Sequence, residues 1–150
     1  MRLITAAFLS LATPATAQEV MPCHWQASAR NIVEPWEENM RTFANGEVRV
    51  VNLDTIEPAV GFAYLMIISP PRDVMGGRQC RVIGAAENIG FAGLNFDTLT
   101  AAYDPAVGLM FEIVASVYDP ETGATPRRFL NITLNQQTGD IVAVISADNL

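Results

Sequence analysis

Residues 104–139 read DPAVGLMFEIVASVYDPETGATPRRFLNITLNQQTG, and three turns of one design punctuate them. Asp104-Pro-Ala-Val-Gly108, Asp119-Pro-Glu-Thr-Gly123 and Asn135-Gln-Gln-Thr-Gly139 each open on Asp or Asn and close on Gly four residues later. Asp or Asn at the head of a type I turn bonds back to the following backbone, Pro suits the second position, and the closing Gly accepts the positive φ that starts a return strand. The turns recur about every fifteen residues, which leaves room for one strand between each pair. Segments 95–103, 109–118, 127–134 and 140–146 therefore read as an antiparallel meander.

Side-chain alternation agrees. Leu130, Ile132 and Leu134 face one way, and Asn131, Thr133 and Asn135 the other, as in a half-buried strand. Segment 109–118 is less clean. Leu109, Phe111, Ile113 and Val117 share a face, while Met110 and Val114 flank Glu112 on the opposite one, as in a strand covered on both sides.

Upstream, Asn45-Gly46 between 40–44 and 47–53 is a strong short hairpin signal. Segment 62–68 (FAYLMII) is uniformly apolar, too short for a helix, and fits a strand buried on both faces. A loop at 70–78 leads to strand 79–86, and Gly90 and Gly93 mark 87–94 as another loop. At most one short helix is expected, around 27–38, interrupted by Pro35. The fold class is all-β: a single antiparallel domain of about eight strands, either a sandwich or a partly closed barrel.

The N-terminus reads as an address. Arg2, the apolar run 3–12 and Ala15-Thr16-Ala17 have the anatomy of a secretory signal peptide, and the apolar run is shorter than the ~20 residues that span a bilayer. The expected division is a signal peptide at 1–17 and an exported domain at 18–150, periplasmic or secreted, with no membrane insertion after cleavage. The net charge of −7 opposes binding to phosphate backbones, so nucleic acid is not an expected partner. All nine basic residues are arginine, which removes lysine Schiff-base and phosphate-loop chemistry.

Two cysteines, Cys23 and Cys80, in an oxidising compartment read as one disulfide fastening the N-terminal arm onto the sheet. Val20-Met21-Pro22 is a poor lipobox, so lipid anchoring of Cys23 is set aside. Met21, Cys23, His24, Met40, Met75 and Cys80 would form a soft-metal set, but the Met-x-Met or His-rich spacing of copper carriers is missing. Neither a metal nor a cofactor is expected. His24, the single histidine, has no partner cluster and no Gly-x-Ser-x-Gly motif to serve.

Two places remain for function. In PPRDVMGGR at 70–78, Arg72 and Arg78 frame Asp73 and Met75, making a candidate interaction loop. Glu112 interrupts an apolar strand. It is a candidate buried charge, paired with Arg81 or Arg128 if buried, or else it faces water at an edge. Glu34, Glu37 and Glu38 beside Trp25 and Trp36 could serve a sugar through paired acids and aromatic platforms, and they equally describe a solvated helix face.

From ENMRTFANGEVRVVNLD at 38–54, through GGRQCRVI, to YDPAVGL, the chain resembles a group of small exported proteins of marine alphaproteobacteria with no assigned function. The shared features are structural, so the resemblance implies export and fold, and no site residue. The expected function is a non-enzymatic binding or protein-interaction module for a small apolar ligand or an envelope protein. The rival is a small hydrolase of cell-wall sugar or peptidoglycan using Glu112 with Glu34 or Glu37.

Overall fold

A computed structural model describes residues 16–146. Residues 1–15 of the signal peptide expected at 1–17 lie outside the described residues. Ten strands run β1 (Thr16–Ala17), β2 (Glu19–Pro22), β3 (Met40–Phe43), β4 (Val48–Asp54), β5 (Ala63–Arg72), β6 (Arg78–Gly84), β7 (Gly93–Asp104), β8 (Gly108–Ser116), β9 (Arg127–Leu134) and β10 (Ile141–Ile145). They form two antiparallel five-stranded sheets, ordered β1-β10-β9-β8-β7 and β2-β6-β5-β4-β3. The architecture is a sandwich, not a closed barrel. Among the described residues no helix is long and apolar enough to cross a membrane.

The expected strands are all present, and β1 and β2 add to them. β1 pairs only Thr16 and Ala17 with Ile145 and Val144, so a chain beginning at Gln18 keeps nine strands. The three turns use the chemistry their residues supply. Side-chain oxygens of Asp104, Asp119 and Asn135 accept the N–H groups of Ala106 (2.7 Å), Glu121 (2.9 Å) and Gln137 (3.0 Å). Gly108, Gly123 and Gly139 all take positive φ.

Thr122 Oγ1 (2.7 Å) and the Glu121 N–H (2.9 Å) both donate to the Asp119 carboxylate, which holds it below its ordinary 3.8. The folded chain thus binds this proton less readily than the unfolded one. The resulting stability is present above the ordinary value and is lost as pH falls through the lowered one. Asp119→Asn is expected to melt below wild type at neutral pH, with the gap closing as pH falls below the ordinary carboxylate value. Thermal melts across that range check it.

Between the sheets pack Val48, Val50, Leu65, Ile67 and Ile83 against Phe111, Ile113, Leu130, Ile132 and Leu134. Phe43 meets Phe111 edge-on at 5.0 Å. A second core lies on the outer face of the β5 sheet, where Val51, Leu53, Tyr64, Met66 and Val82 are buried beneath Met21, Ala27, Ile32 and Met40. This is why the FAYLMII run is apolar on both faces. The cover is the N-terminal arm, and the one helix the sequence allows, around 27–38, does not form. Residues 25–27 and 29–31 form two 3₁₀ turns instead, because the apolar residues of this segment pack flat on the sheet. The Cys23–Cys80 disulfide closes the arm at directly facing positions: Pro22 pairs with Arg81, and the Cys23 N–H donates to the Cys80 carbonyl at 3.2 Å.

Each open side of the sandwich is bridged. On one, the chain steps from β1 to β2 through Gln18, whose N–H donates to the Ala143 carbonyl at 2.8 Å. On the other, the β7 ladder slips between Asn95 and Thr100, and Phe96 and Leu99 turn inward. Arg41 of β3 crosses to this bulge, donating to the Leu99 carbonyl at 2.8 Å with its guanidinium 5.3 Å from the Phe96 ring. Thr98 Oγ1 replaces the lost ladder acceptor by taking the Val114 N–H at 2.9 Å. Thr98→Val is expected to cost about 1–3 kcal/mol by orphaning that N–H, and Thr98→Ser to cost much less. Chemical denaturation distinguishes them.

Candidate recognition surface at the hairpin end

Strand direction gathers four hairpin turns at one end of the sandwich: 44–47, 73–77, 105–107 and 135–140. Gln79 Nε2 ties the two sheets together there by donating to the Gly139 carbonyl at 2.8 Å. The Asn45-Gly46 hairpin uses a four-residue loop, not a two-residue one. Ala44, Asn45 and Gly46 all take positive φ, and pairing resumes at Phe43 and Val48.

The loop expected over 70–78 is shorter than its sequence suggests. β5 continues to Arg72 and β6 starts at Arg78, so the turn itself is 73–77. Pro70 and Pro71, which lack N–H groups, are the extra residues of a bulge between the Ser69 and Arg72 pairings. Asp73 is the turn's internal frame, its Oδ1 accepting the N–H groups of Met75 (2.9 Å) and Gly77 (2.8 Å).

Arg72 and Arg78 face the neighbouring hairpin. Arg72 Nη2 grips both carboxylate oxygens of Glu47, at 3.0 and 2.9 Å, while its Nη1 donates to the Gly76 carbonyl at 2.9 Å. Arg78 Nη1 donates to the carbonyls of Gly46 (2.9 Å) and Glu47 (3.1 Å). The two arginines thus lash adjacent hairpins together. Both ends of the Arg72–Glu47 pair are about half exposed, so its value is orientation more than stability.

What this brace holds out is apolar. Val74 and Met75 at the apex are 101% and 90% exposed, and Tyr103 and Val107 are exposed at the same end. Glu47, which the local sequence does not single out, is the residue that accepts the Arg72 fork and joins the two hairpins. Its role depends on the β4 and β5 hairpins lying side by side, which pairing order reveals and local sequence does not.

The other candidates disperse. Glu112 is exposed, not buried. Leu109, Phe111 and Ile113 turn into the core, so the residue between the last two points out, with Thr100 and Asn131 beside it on the ladder. Its supposed partner Arg81 lies in the opposite sheet and donates to the Cys80 carbonyl at 3.1 Å. Arg128 faces Ala115 on the ladder. His24 is exposed beside the disulfide. The soft-metal set is split: both cysteines are in the disulfide, Met21 and Met40 cover the second core, and Met75 stands at the tip. Among the described residues no three His, Cys, Asp or Glu side chains are grouped to hold a metal ion.

No protein-family model, curated protein or solved structure matches the chain. The site must be judged on its own geometry.

Proposed function

We propose that the protein is an exported, non-enzymatic interaction module whose hairpin end contacts another protein of the cell envelope. The observation that carries this reading is the full exposure of Val74 and Met75 on a hairpin braced by Arg72, Arg78 and Glu47. Two apolar side chains held in water by a rigid support are unfavourable unless a partner covers them. The apex is a protrusion, and a small ligand needs a concavity, so the partner is a macromolecule that supplies the pocket. Methionine at the tip suits this role because its flexible thioether adapts to the receiving surface. The disulfide is compatible with an oxidising compartment.

The hydrolase reading needs two carboxylates converging in one cleft. Glu112 lines a cleft of about 260 Å³ with Thr100, Met110 and Asn131, and no second carboxylate borders it. Glu34 and Glu37 share one open cleft of the N-terminal arm, beside the other sheet and apart from Glu112, so the pairing of Glu112 with either that this reading requires does not form. The interaction reading is preferred on that separation.

Val74→Ser combined with Met75→Ser is expected to leave the melting temperature unchanged, with stability within about 0.5 kcal/mol of wild type. The same variant is expected to lose association with envelope proteins in sedimentation or crosslinking assays. Retained association would refute the proposal.

A further inference from the structure

Away from the hairpin tip, the arm and β3–β4 form a shallow, open groove that the interaction reading does not use. Trp36 forms its wall and is 53% exposed. A turn fixes it in place: the Glu38 N–H donates to the Pro35 carbonyl (3.1 Å) and the Asn39 N–H to the Trp36 carbonyl (3.2 Å). Met40, Thr42, Arg49 and Glu37 complete a cavity of about 340 Å³, and Trp36 also borders a second cleft of about 440 Å³ beside Glu34 and Pro35.

Arg49 is the informative member. It sits on β4, facing Thr42 on one side and Ile68 on the other. Its Nε is fully buried and has no hydrogen-bond partner. Arg41, Arg72, Arg78 and Arg81 all spend donors on carbonyls or on Glu47. Nε is sealed from the groove, so a ligand meets the outer edge of the guanidinium, a cation lining an open groove beside an exposed indole and suited to a planar anion.

We propose that this groove is a subsite for a pyranose carrying one carboxylate, such as a uronic acid. The indole takes the apolar C–H face of the ring, and the guanidinium takes the carboxylate. Thr42 and Glu37 have the acceptors and donor for ring hydroxyls. A neutral sugar leaves the Arg49 charge without a counter-charge, and inorganic phosphate leaves the indole uncovered. This site shares no residue with the hairpin tip, so either proposal stands if the other fails.

Two-dimensional ¹H–¹⁵N spectra of the folded, disulfide-bonded protein test it, with glucuronate, glucose and inorganic phosphate as probes. Glucuronate is expected to shift the Trp36 indole N–H and the Arg49 backbone N–H saturably, leaving the Trp25 indole in place. Glucose is expected to bind about tenfold more weakly, the difference one charge-assisted pair makes. Arg49→Met should abolish that preference, and Trp36→Ala should weaken both sugars. The proposal is overturned if glucose and glucuronate bind wild type equally. It is also overturned if phosphate alone reproduces the shifts, or if nothing shifts at about 50 mM sugar, where millimolar affinity would show. The wild-type comparison decides the matter even if Arg49→Met folds poorly.

Discussion

Replacing Cys23 and Cys80 together by serine is expected to destabilise the protein by about 4 kcal/mol, the chain-entropy value for a loop of this length. The disulfide joins residues 57 apart with Cα atoms 5.4 Å apart, a normal bridging distance. Its loss does more than loosen the unfolded chain's constraint. Cys23 and Cys80 are packed against the second core, and the arm they fasten covers Tyr64, Met66 and Val82. Trp25 packs edge-on to Tyr64 at 6.4 Å, so a freed arm uncovers an aromatic pair as well. The expected drop in melting temperature is about 10–20 °C. A dye for exposed apolar surface should bind the double variant before global unfolding. Wild-type melting of the variant would mean that packing alone holds the arm.

Gly90→Ala is the second change with a large expected effect, about 3 kcal/mol, and it acts through space alone. A Cβ at Gly90 would stand 2.5 Å from the Ala63 carbonyl oxygen, 2.7 Å from that of Gly61 and 2.8 Å from Tyr64 Cε2. The first two are backbone atoms in an interlocked segment. The Gly90 N–H donates to Gly61 (2.9 Å), Ala63 and Phe91 exchange hydrogen bonds at 3.0 and 2.7 Å, and the Tyr64 hydroxyl donates to the Asn88 carbonyl at 3.0 Å. Making room would break this lock between the loop at 85–92 and β5. Gly93→Ala is the internal control: its nearest neighbour would be Ser116 Cβ at 4.0 Å, so it should match wild type within about 0.5 kcal/mol. Urea denaturation of both variants measures the contrast.

The parts of this fold legible in sequence were those determined by local chemistry. The Asp, Asn and Gly residues of the three turns do what their side chains and φ preferences allow anywhere, so the meander could be drawn from them. The FAYLMII run announced burial on both faces, although not what lies on the second face. The apolar spacing of that cover is compatible with a short helix, and in the structure it reflects packing on a sheet. The β7 bulge escaped notice since Phe96 and Leu99 fit a strand only after three residues loop out of register. The outward direction of Glu112 followed from the alternation around it, and an apolar composition on both sides obscured this.

The candidate site was legible in part. Arg72, Asp73, Met75 and Arg78 stand together in the sequence, and the structure assembles all four on one hairpin. Their division of labour was not visible. The charged residues bind the protein itself, and the apolar apex faces solvent. Glu47 and Arg49 could not be found from sequence, because each acquires its meaning from a neighbouring strand that only the pairing order supplies.

The central claim is that the braced apex is a contact surface, and site-specific photocrosslinking in living cells tests it most directly. A photoreactive amino acid would replace Met75 in one strain and Val142, another exposed apolar residue, in a second. The account predicts a discrete adduct of one mass from position 75 and none from position 142. No adduct at 75, or the same smear of products from both positions, would contradict it.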